Sequence, residues 1–353
     1  MQGKRQNTGI EILRIVATLM ICMCHLLYMG GLLAAVHPGT PLYSAVWVLE
    51  CLGASGANIY MLISGYVGVD TNWHPGRIVC LWLQVVILSL GETLISNFVT
   101  PGYVTPELYK MSVFPVIHNT FWYITAYCFA FFLFPFANAA LKHMSKRQIY
   151  MLILVIFCFA LYENHNGYLG FAGGYSANWL FALYCVGGGV RMLNIEKKLK
   201  SRQYIALYFL FSGICFMIKI LGVKWNSPFL NNIATSYTNI PLILAALCLL
   251  CGFATMEINR MQKWIQSFSG ACLGVYIMQC HPYFWSQHMG NYASHLTNRS
   301  VTGFLIATLI LTLALFMGFA FVDLVRSFLF QIIGMDQKIK YIEKLLHNIL
   351  KCS

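Results

Sequence analysis

Residues 9–30 read GIEILRIVATLMICMCHLLYMG, an apolar run whose charged or readily protonated side chains are Glu11, Arg14 and His25. A helix that crosses the hydrocarbon layer of a bilayer needs about 20 mostly apolar residues. The run therefore predicts a membrane-spanning helix that carries an arginine and a histidine at membrane depth, where ionisable groups are costly and usually functional.

Apolar runs of this kind continue along the chain, each bounded by a polar, glycine or proline break. The predicted spans are 9–30, 43–69, 77–99, 119–141, 148–162, 176–193, 203–223, 237–256, 267–289 and 302–330. The sequence thus predicts an all-α, polytopic membrane helix bundle of about ten transmembrane helices. We expect one transmembrane domain over 1–334. Residues 335–353 form a basic amphipathic tail along the inner leaflet, or alternatively a solvated terminal helix.

Composition excludes several classes of protein. Hydrophobic residues make up 59% of the chain and charged residues 10%, whereas soluble domains carry roughly 25% charged residues. A soluble enzyme, a disordered protein and a disulfide scaffold are therefore excluded. The net charge of +12 comes from too few charges to build a face for nucleic acid.

Basic residues predict the orientation, because cytoplasmic loops are enriched in Lys and Arg. If the N-terminus is cytoplasmic, 18 of the 23 basic residues fall on the cytoplasmic side, and Lys110, Lys224 and Arg299 fall outside. Two more, Arg14 and Lys219, lie within spans. Both termini are therefore predicted to be cytoplasmic, and the first span is expected to remain in the mature protein.

Arg14 and His25 share one face of the first helix. Their separation of 11 residues corresponds to about 1100°, roughly 20° past three full turns, and to about 16 Å along the axis. A cation near the inner boundary and a proton-transfer group deeper in suit a long substrate with an anionic head. Glu11, one turn before Arg14, is the expected ion-pair partner. The alternative is that Arg14 reaches lipid headgroups and His25 bonds a neighbouring helix.

Other candidates lie nearby in the predicted membrane. Arg77 opens the third helix at the inner surface, where a guanidinium group binds phosphate well, although positive-inside placement explains it equally. Glu50 is expected to orient His25. For Glu92 and Asp323 we predict no role.

Two short motifs have both a functional and a packing interpretation. Ser64, Gly65 and Tyr66 either shape a ligand channel or let helices approach closely. Trp122 and Tyr123 either line a groove for sugar rings or belong to the interfacial aromatic belt. His281 precedes Pro282 and is expected to be a second polar group near the acceptor.

These segments resemble the acyltransferase-3 family of multi-pass membrane acyltransferases. The likeness rests on Arg14, ten intervening residues and His25, and on Arg77 in the third span. It extends over NIYMLISGYVG, FWYITAY, GVYIMQCHP and VDLVRSFLF, and thus nearly the whole chain.

The resemblance implies transfer of an acyl group, usually acetyl, from cytoplasmic acetyl-CoA or another acyl-CoA to a hydroxyl group of a cell-envelope or extracellular polysaccharide. It implies catalysis by His25 as base or acyl relay, and binding of the donor by Arg14 and Arg77 with Ser64, Gly65 and Tyr66 around the channel. The residues themselves add Glu50 as the expected catalytic partner of His25, and Trp122, Tyr123 and His281 as the expected binding residues for the acceptor. No metal is expected.

Two departures from the family pattern stand out. Gln279 occupies a place where relatives carry histidine, which puts the role of that position in doubt. Many relatives also carry a fused extracytoplasmic domain, so here we expect the membrane core to act alone or with a separate partner.

The resemblance also implies a place in the cell membrane, namely the cytoplasmic membrane of a bacterium. The expected partners are acyl-CoA, a glycan or lipid-linked glycan, membrane lipids and, as one option, a second copy in a homodimer. Two other functions stay open: a transporter or flippase without acyl-transfer chemistry, and a structural scaffold.

Overall fold

The computed structural model describes residues 7–256, 258, 261–334, 341 and 344. Within these residues the regular secondary structure is helical and contains no strand, which confirms the predicted all-α class. The α-helices are α1 (Thr8–Tyr28), α2 (Leu32–Ala35), α3 (Pro41–Gly53), α4 (Gly56–Gly68), α5 (Gly76–Val99), α6 (Pro106–Val113), α7 (Trp122–Phe131), α8 (Phe134–His143), α9 (Lys146–Asn166), α10 (Ala177–Leu193), α11 (Ser201–Lys224), α12 (Pro228–Ile233), α13 (Ile240–Ala254), α14 (Gln262–Gln279) and α15 (Val301–Ile332). The predicted tail at 335–353 lies outside the described residues except for 341 and 344.

Six helical stretches in the described part of the chain are long and apolar enough to cross a membrane. They are α1, α3 together with α4, α5, α9, α11 and α15. A seventh arises if α7 and α8, which meet at a bend of 54°, form one broken span. The remaining predicted spans correspond to α10, α13 and α14, which are helical but fall short of the same length or hydropathy. The count of about ten spans and the cytoplasmic termini stay predictions.

The outer helices present apolar side chains that no described part of the protein covers. Only 22% of the most apolar stretch of α5, α9 and α15 is buried, against 56% for α1. Large side chains such as Phe98, Ile310 and Phe321 are exposed on these helices. Water would not tolerate so large an apolar surface, so hydrocarbon is the solvent that fits it.

Glycines allow the backbones of α4 and α10 to pack in direct contact. A Cβ atom at Gly65 would collide with the carbonyl oxygen of Tyr184, and one at Gly187 would collide with the carbonyl oxygen of Leu62. Small residues of this kind let two backbones touch, which is how membrane helices gain van der Waals contact without a hydrophobic driving force. The pair α4 and α10 forms the centre of the bundle.

Both ends of α1 are tied to other parts of the chain. Asn7 caps the helix by accepting from the backbone N–H of Gly9, and its own amide donates to the Ala254 carbonyl at 2.8 Å. At the other end, the Met29 carbonyl accepts from the Asn291 N–H at 2.8 Å. We call these the Asn7 end and the Met29 end of the molecule. Arg14 lies toward the first and His25 toward the second.

Candidate functional site

A cavity of about 1150 Å³ opens among α1, α3, α7, α11 and α14 at the Met29 end. Its polar lining includes His25, Glu50, Thr120, Lys219, Asn231, Asn232 and Thr235. Its aromatic lining includes Tyr28, Trp47, Phe121, Trp122, Tyr175, Tyr237, Tyr276 and Trp285. Convergent polar groups among flat aromatic faces are typical of a site for a polar, ring-shaped ligand.

His25 lies in this cavity with its ring held on two sides. Trp285 meets the ring edge-on, with centroids 4.8 Å apart and planes at 82°. The Cys280 Sγ atom lies 3.8 Å from Nδ1, and the preceding residue, Gln279, is buried and donates to the Cys22 carbonyl at 3.5 Å. The structure therefore places the histidine of the first span in a cavity large enough for a substrate.

Glu50 lines the same cavity. The Cys24 thiol donates to the backbone carbonyl of Glu50 at 3.9 Å, and the buried Oε2 atom of Glu50 has no hydrogen-bond partner among the described residues. No hydrogen bond joins Glu50 directly to His25 among the described contacts. The two groups share a cavity, and the orienting role of Glu50 stays a prediction.

Arg14 forms the predicted ion pair with Glu11. Its Nη1 atom donates to both carboxylate oxygens, at 2.8 and 2.9 Å, and Ser269 also donates to that carboxylate. The Arg14 side chain is 31% exposed. The hydrogen bonds of the described residues use neither Nε nor Nη2, so these donors remain for a second anion.

Tyrosines connect the Arg14 region to the cavity. Tyr127 lies within electrostatic reach of both Arg14 and Arg77, and Arg77 is exposed at the start of α5. Four side chains form what we call the tyrosine column: Tyr127, Tyr123, Tyr60 and Tyr276. The Tyr123 ring lies 6.5 Å from that of Tyr60 and 6.4 Å from that of Tyr276, which lines the cavity.

Three aromatic rings in mutual contact line one side of the cavity, and we call them the aromatic wall: Trp122, Tyr175 and Tyr237. Trp122 lies 4.5 Å from Tyr175 and 6.1 Å from Tyr237, and its plane is only 19° from that of Tyr237. The structure thus brings Trp122 to the cavity. Tyr123 instead belongs to the tyrosine column, and its buried hydroxyl group has no partner.

Two buried polar residues hold the aromatic wall in place. Asn58 donates to the Tyr237 carbonyl at 2.8 Å and accepts from Trp179 Nε1 at 3.1 Å. The Glu163 carboxylate accepts from three backbone N–H groups, those of residues 169, 171 and 172, at 2.7 to 3.0 Å. That turn leads directly to Tyr175. Residues far apart in sequence make these contacts, so spacing along the chain gives no signal for them.

Ser64, Gly65 and Tyr66 lie apart from the cavity lining. Ser64 donates to the Tyr60 carbonyl at 2.9 Å. Gly65 lies at the contact with α10, and the Tyr66 hydroxyl accepts from Arg191 at 3.3 Å. These contacts serve helix packing, and binding of a donor by the three residues stays a prediction.

His281 is fully buried and its imidazole is bonded to α5. Its Nδ1 atom accepts from the Tyr283 N–H at 3.3 Å, so Nε2 carries the proton and faces Thr93 Oγ1 at 3.0 Å. Thr93 in turn lies 2.6 Å from Ser112 Oγ, and Glu92 approaches Nδ1 at 3.7 Å. This chain of bonds uses both ring nitrogens within the protein.

Asp323 also gains an explanation. It is buried and pairs with Arg326 one turn later, at 2.7 and 3.1 Å. The pair neutralises both charges within α15, as expected for charged groups in a membrane helix.

Lys219 is the functional candidate that sequence reasoning missed. It lies in the apolar span of α11, is only 8% exposed, and lines the cavity. Its Nζ atom sits 3.7 Å from the centre of the Trp47 ring. A lysine inside an otherwise apolar run is itself a signal of function, although the run cannot show which way the side chain points.

The acyltransferase-3 family model, described as an acyltransferase domain, matches residues 7–322. No curated protein and no solved structure matches the chain significantly. The match covers every helix that lines the cavity.

Proposed function

The chain belongs to the acyltransferase-3 family, and from that premise we propose that it moves an acyl group, in the first instance acetyl, from cytoplasmic acyl-CoA to a hydroxyl group of a cell-envelope or extracellular polysaccharide. Family membership supports a membrane acyltransferase. The observation that supports the finer proposal is the position of His25 in a large cavity lined by aromatic rings.

Arg14 and Arg77 are suited to bind the phosphate groups of the donor. Both lie within electrostatic range of Tyr127. Guanidinium groups bind phosphate through paired hydrogen bonds. From there the thioester arm follows the tyrosine column toward His25, about 16 Å farther along α1.

His25 is suited to act as a general base. The imidazole takes the proton of the acceptor hydroxyl group while its oxygen attacks the thioester carbonyl carbon. The tetrahedral intermediate then expels the CoA thiolate, which receives the proton from the imidazolium. An acyl-imidazole relay is the second route: the ring nitrogen attacks the thioester carbonyl and CoA leaves as the thiol with the ring proton. The acceptor hydroxyl oxygen then attacks the acyl-imidazole, the acyl–nitrogen bond breaks, and the hydroxyl proton returns to the ring.

The aromatic wall suits the acceptor. A sugar ring presents an apolar C–H face that packs against flat indole and phenol rings, while its hydroxyl groups remain free for Thr120 and Asn231. The wall lies at the Met29 end, which the basic residues predict to be extracytoplasmic. An acceptor outside the cell would enter from that side.

The test is acyl transfer by purified protein in nanodiscs supplied with radiolabelled acetyl-CoA. We expect His25→Ala to lower turnover by about 10²–10⁴-fold, the usual contribution of a general base. His288→Ala is the matched control, because His288 is exposed on the neighbouring π-helical segment and lies outside this cavity.

Full activity of His25→Ala, together with native unfolding behaviour, would contradict the mechanism. Uptake of a solute by proteoliposomes without any turnover of acetyl-CoA would instead favour a transporter.

A further inference from the structure

Lys219 brings a positive charge into the cavity that no described residue neutralises. Lys219 is 8% exposed, and the ion pairs among the described residues do not include it. The ammonium group rests on the Trp47 ring at 3.7 Å. A lysine that simply avoided hydrocarbon would extend to the membrane surface, whereas this one turns into the protein.

Trp47 adds a second donor without an acceptor. Its indole Nε1 atom is buried and has no hydrogen-bond partner within the described part of the chain. Buried N–H groups are nearly always paired, and an unpaired one costs free energy. Two adjacent donors, one of them charged, therefore lack the acceptor that their position requires. A negatively charged oxygen satisfies both.

We propose that Lys219 and Trp47 form an anion-binding subsite that holds a carboxylate or phosphate group of the acceptor. The inference rests on the proposed function, because it assigns the class of glycan that the enzyme modifies. An acidic glycan supplies such a group as a uronic acid or as a phosphodiester. Charge-assisted hydrogen bonds to oxyanions are among the strongest that side chains form.

The spacing along α3 connects this subsite to the reacting centre. Trp47 and Glu50 lie three residues apart on one helix face, about one turn or 5 Å along the axis. Both line the cavity that contains His25. An anionic group held at Lys219 therefore places a hydroxyl group of the same or the adjacent sugar near His25. The subsite determines both which glycan binds and which hydroxyl group is presented.

A different role for Lys219 is to stabilise the oxyanion of the tetrahedral intermediate. The two roles differ in what they change. An oxyanion donor acts on every acceptor and appears in kcat, whereas an acceptor subsite discriminates acidic from neutral glycans and appears in their relative binding.

Binding in the absence of donor tests the subsite independently of transfer. The full chain in nanodiscs is titrated calorimetrically with three probes. The first is a tetrasaccharide in which every second sugar is glucuronate, and the second is the same tetrasaccharide with its carboxyl groups reduced to alcohols. The third is a glycerol phosphate oligomer. We expect at least one acidic probe to bind about tenfold more tightly than the neutral one, equivalent to about 1.4 kcal/mol. The two acidic probes distinguish a carboxylate from a phosphate.

Three variants localise the effect. Lys219→Met should abolish the preference for the acidic probe, Lys219→Arg should retain it, and Trp47→Phe should weaken it while keeping the ring beneath the ammonium group. Lys224→Met, at the exposed end of the same helix, is the matched control and should keep the full preference.

Equal binding of acidic and neutral probes by the native protein, no binding of any probe, or a preference that survives Lys219→Met would each overturn the proposal. A preserved preference without any acetyl transfer would instead contradict the proposed function and leave the subsite standing.

Discussion

Glu50 keeps a buried carboxylate oxygen without a partner in the cavity that holds His25. A negative charge there stabilises the imidazolium that forms when His25 removes a proton. We expect Glu50→Gln to lower kcat by at least about tenfold, less than the 10²–10⁴-fold expected for the base itself. Steady-state kinetics with saturating acetyl-CoA measures this loss of kcat.

Glu92→Gln is the control for that variant, because Glu92 also lies in an apolar span but contacts His281 rather than the cavity. Equal losses of kcat in the two variants would show that any buried carboxylate has this effect.

His281 is bonded at both ring nitrogens, so its removal leaves the Tyr283 N–H without its acceptor, and the Thr93 hydroxyl group keeps only its hydrogen bond with Ser112. We expect His281→Ala to lower the free energy of unfolding by about 1–3 kcal/mol, and Thr93→Val to act in the same direction. Thermal unfolding in detergent measures both. A raised KM for the acceptor at unchanged stability would instead support the acceptor role that the sequence predicts for His281.

At this scale, periodicity reveals what lies on one helix and misses what several helices build together. The spacing of Arg14 and His25 is a local property, so sequence analysis finds it. Asn58 bonds Tyr237 and Trp179 across 179 and 121 residues of chain, which no spacing rule anticipates. The sequence identifies Lys219 as a charged residue within a predicted span, whereas its contact with Trp47 depends on how α3 and α11 pack.

The contact between α4 and α10 depends on glycine at the element scale. A methyl group at Gly65 has no room beside the Tyr184 carbonyl, so we expect Gly65→Ala to lower the free energy of unfolding by about 1–3 kcal/mol. Gly91→Ala on α5 is the control, since open space surrounds that position and alanine favours a helix by up to about 1 kcal/mol. Thermal unfolding of the two variants decides, and equal stability would contradict the packing argument.

Glu163, near the end of α9, accepts hydrogen bonds from three backbone N–H groups of the turn before Tyr175. In Glu163→Gln an amide nitrogen replaces one acceptor oxygen. We expect a loss of about 1–3 kcal/mol in the free energy of unfolding and a raised KM for the acceptor, because the aromatic wall loses its support. KM for acetyl-CoA should stay the same, and an equal rise in both constants would contradict a local effect.

The extent of most elements follows from hydropathy, since polar, glycine and proline residues mark where an apolar run begins and ends. Every predicted span contains a helix in the structure. The break between α3 and α4 and the 54° bend between α7 and α8 do not interrupt the apolar pattern, so hydropathy could not reveal them. Pro135 in the first turn of α8 was the local signal for the bend.

The orientation of the whole molecule follows from its basic residues and can be measured by fusions. We expect alkaline phosphatase inserted after Tyr168, which is 83% exposed, to be active outside the cell. The same insertion after Lys198, which is also exposed, should be inactive because cytoplasmic loops carry the basic residues. The reverse pattern of activities would invert the proposed path from donor to acceptor.

Helix α1 runs from Thr8 to Tyr28 without interruption and is fixed to neighbouring segments at both ends. Its rise per residue therefore sets the span between Arg14 and His25, and neither side chain can approach the other by bending of the chain. The helix therefore fixes the distance that a donor must bridge. A donor is selected by the length of the arm between its anionic head and its thioester, so that a truncated thioester with the same acyl group reaches either Arg14 or His25 but not both.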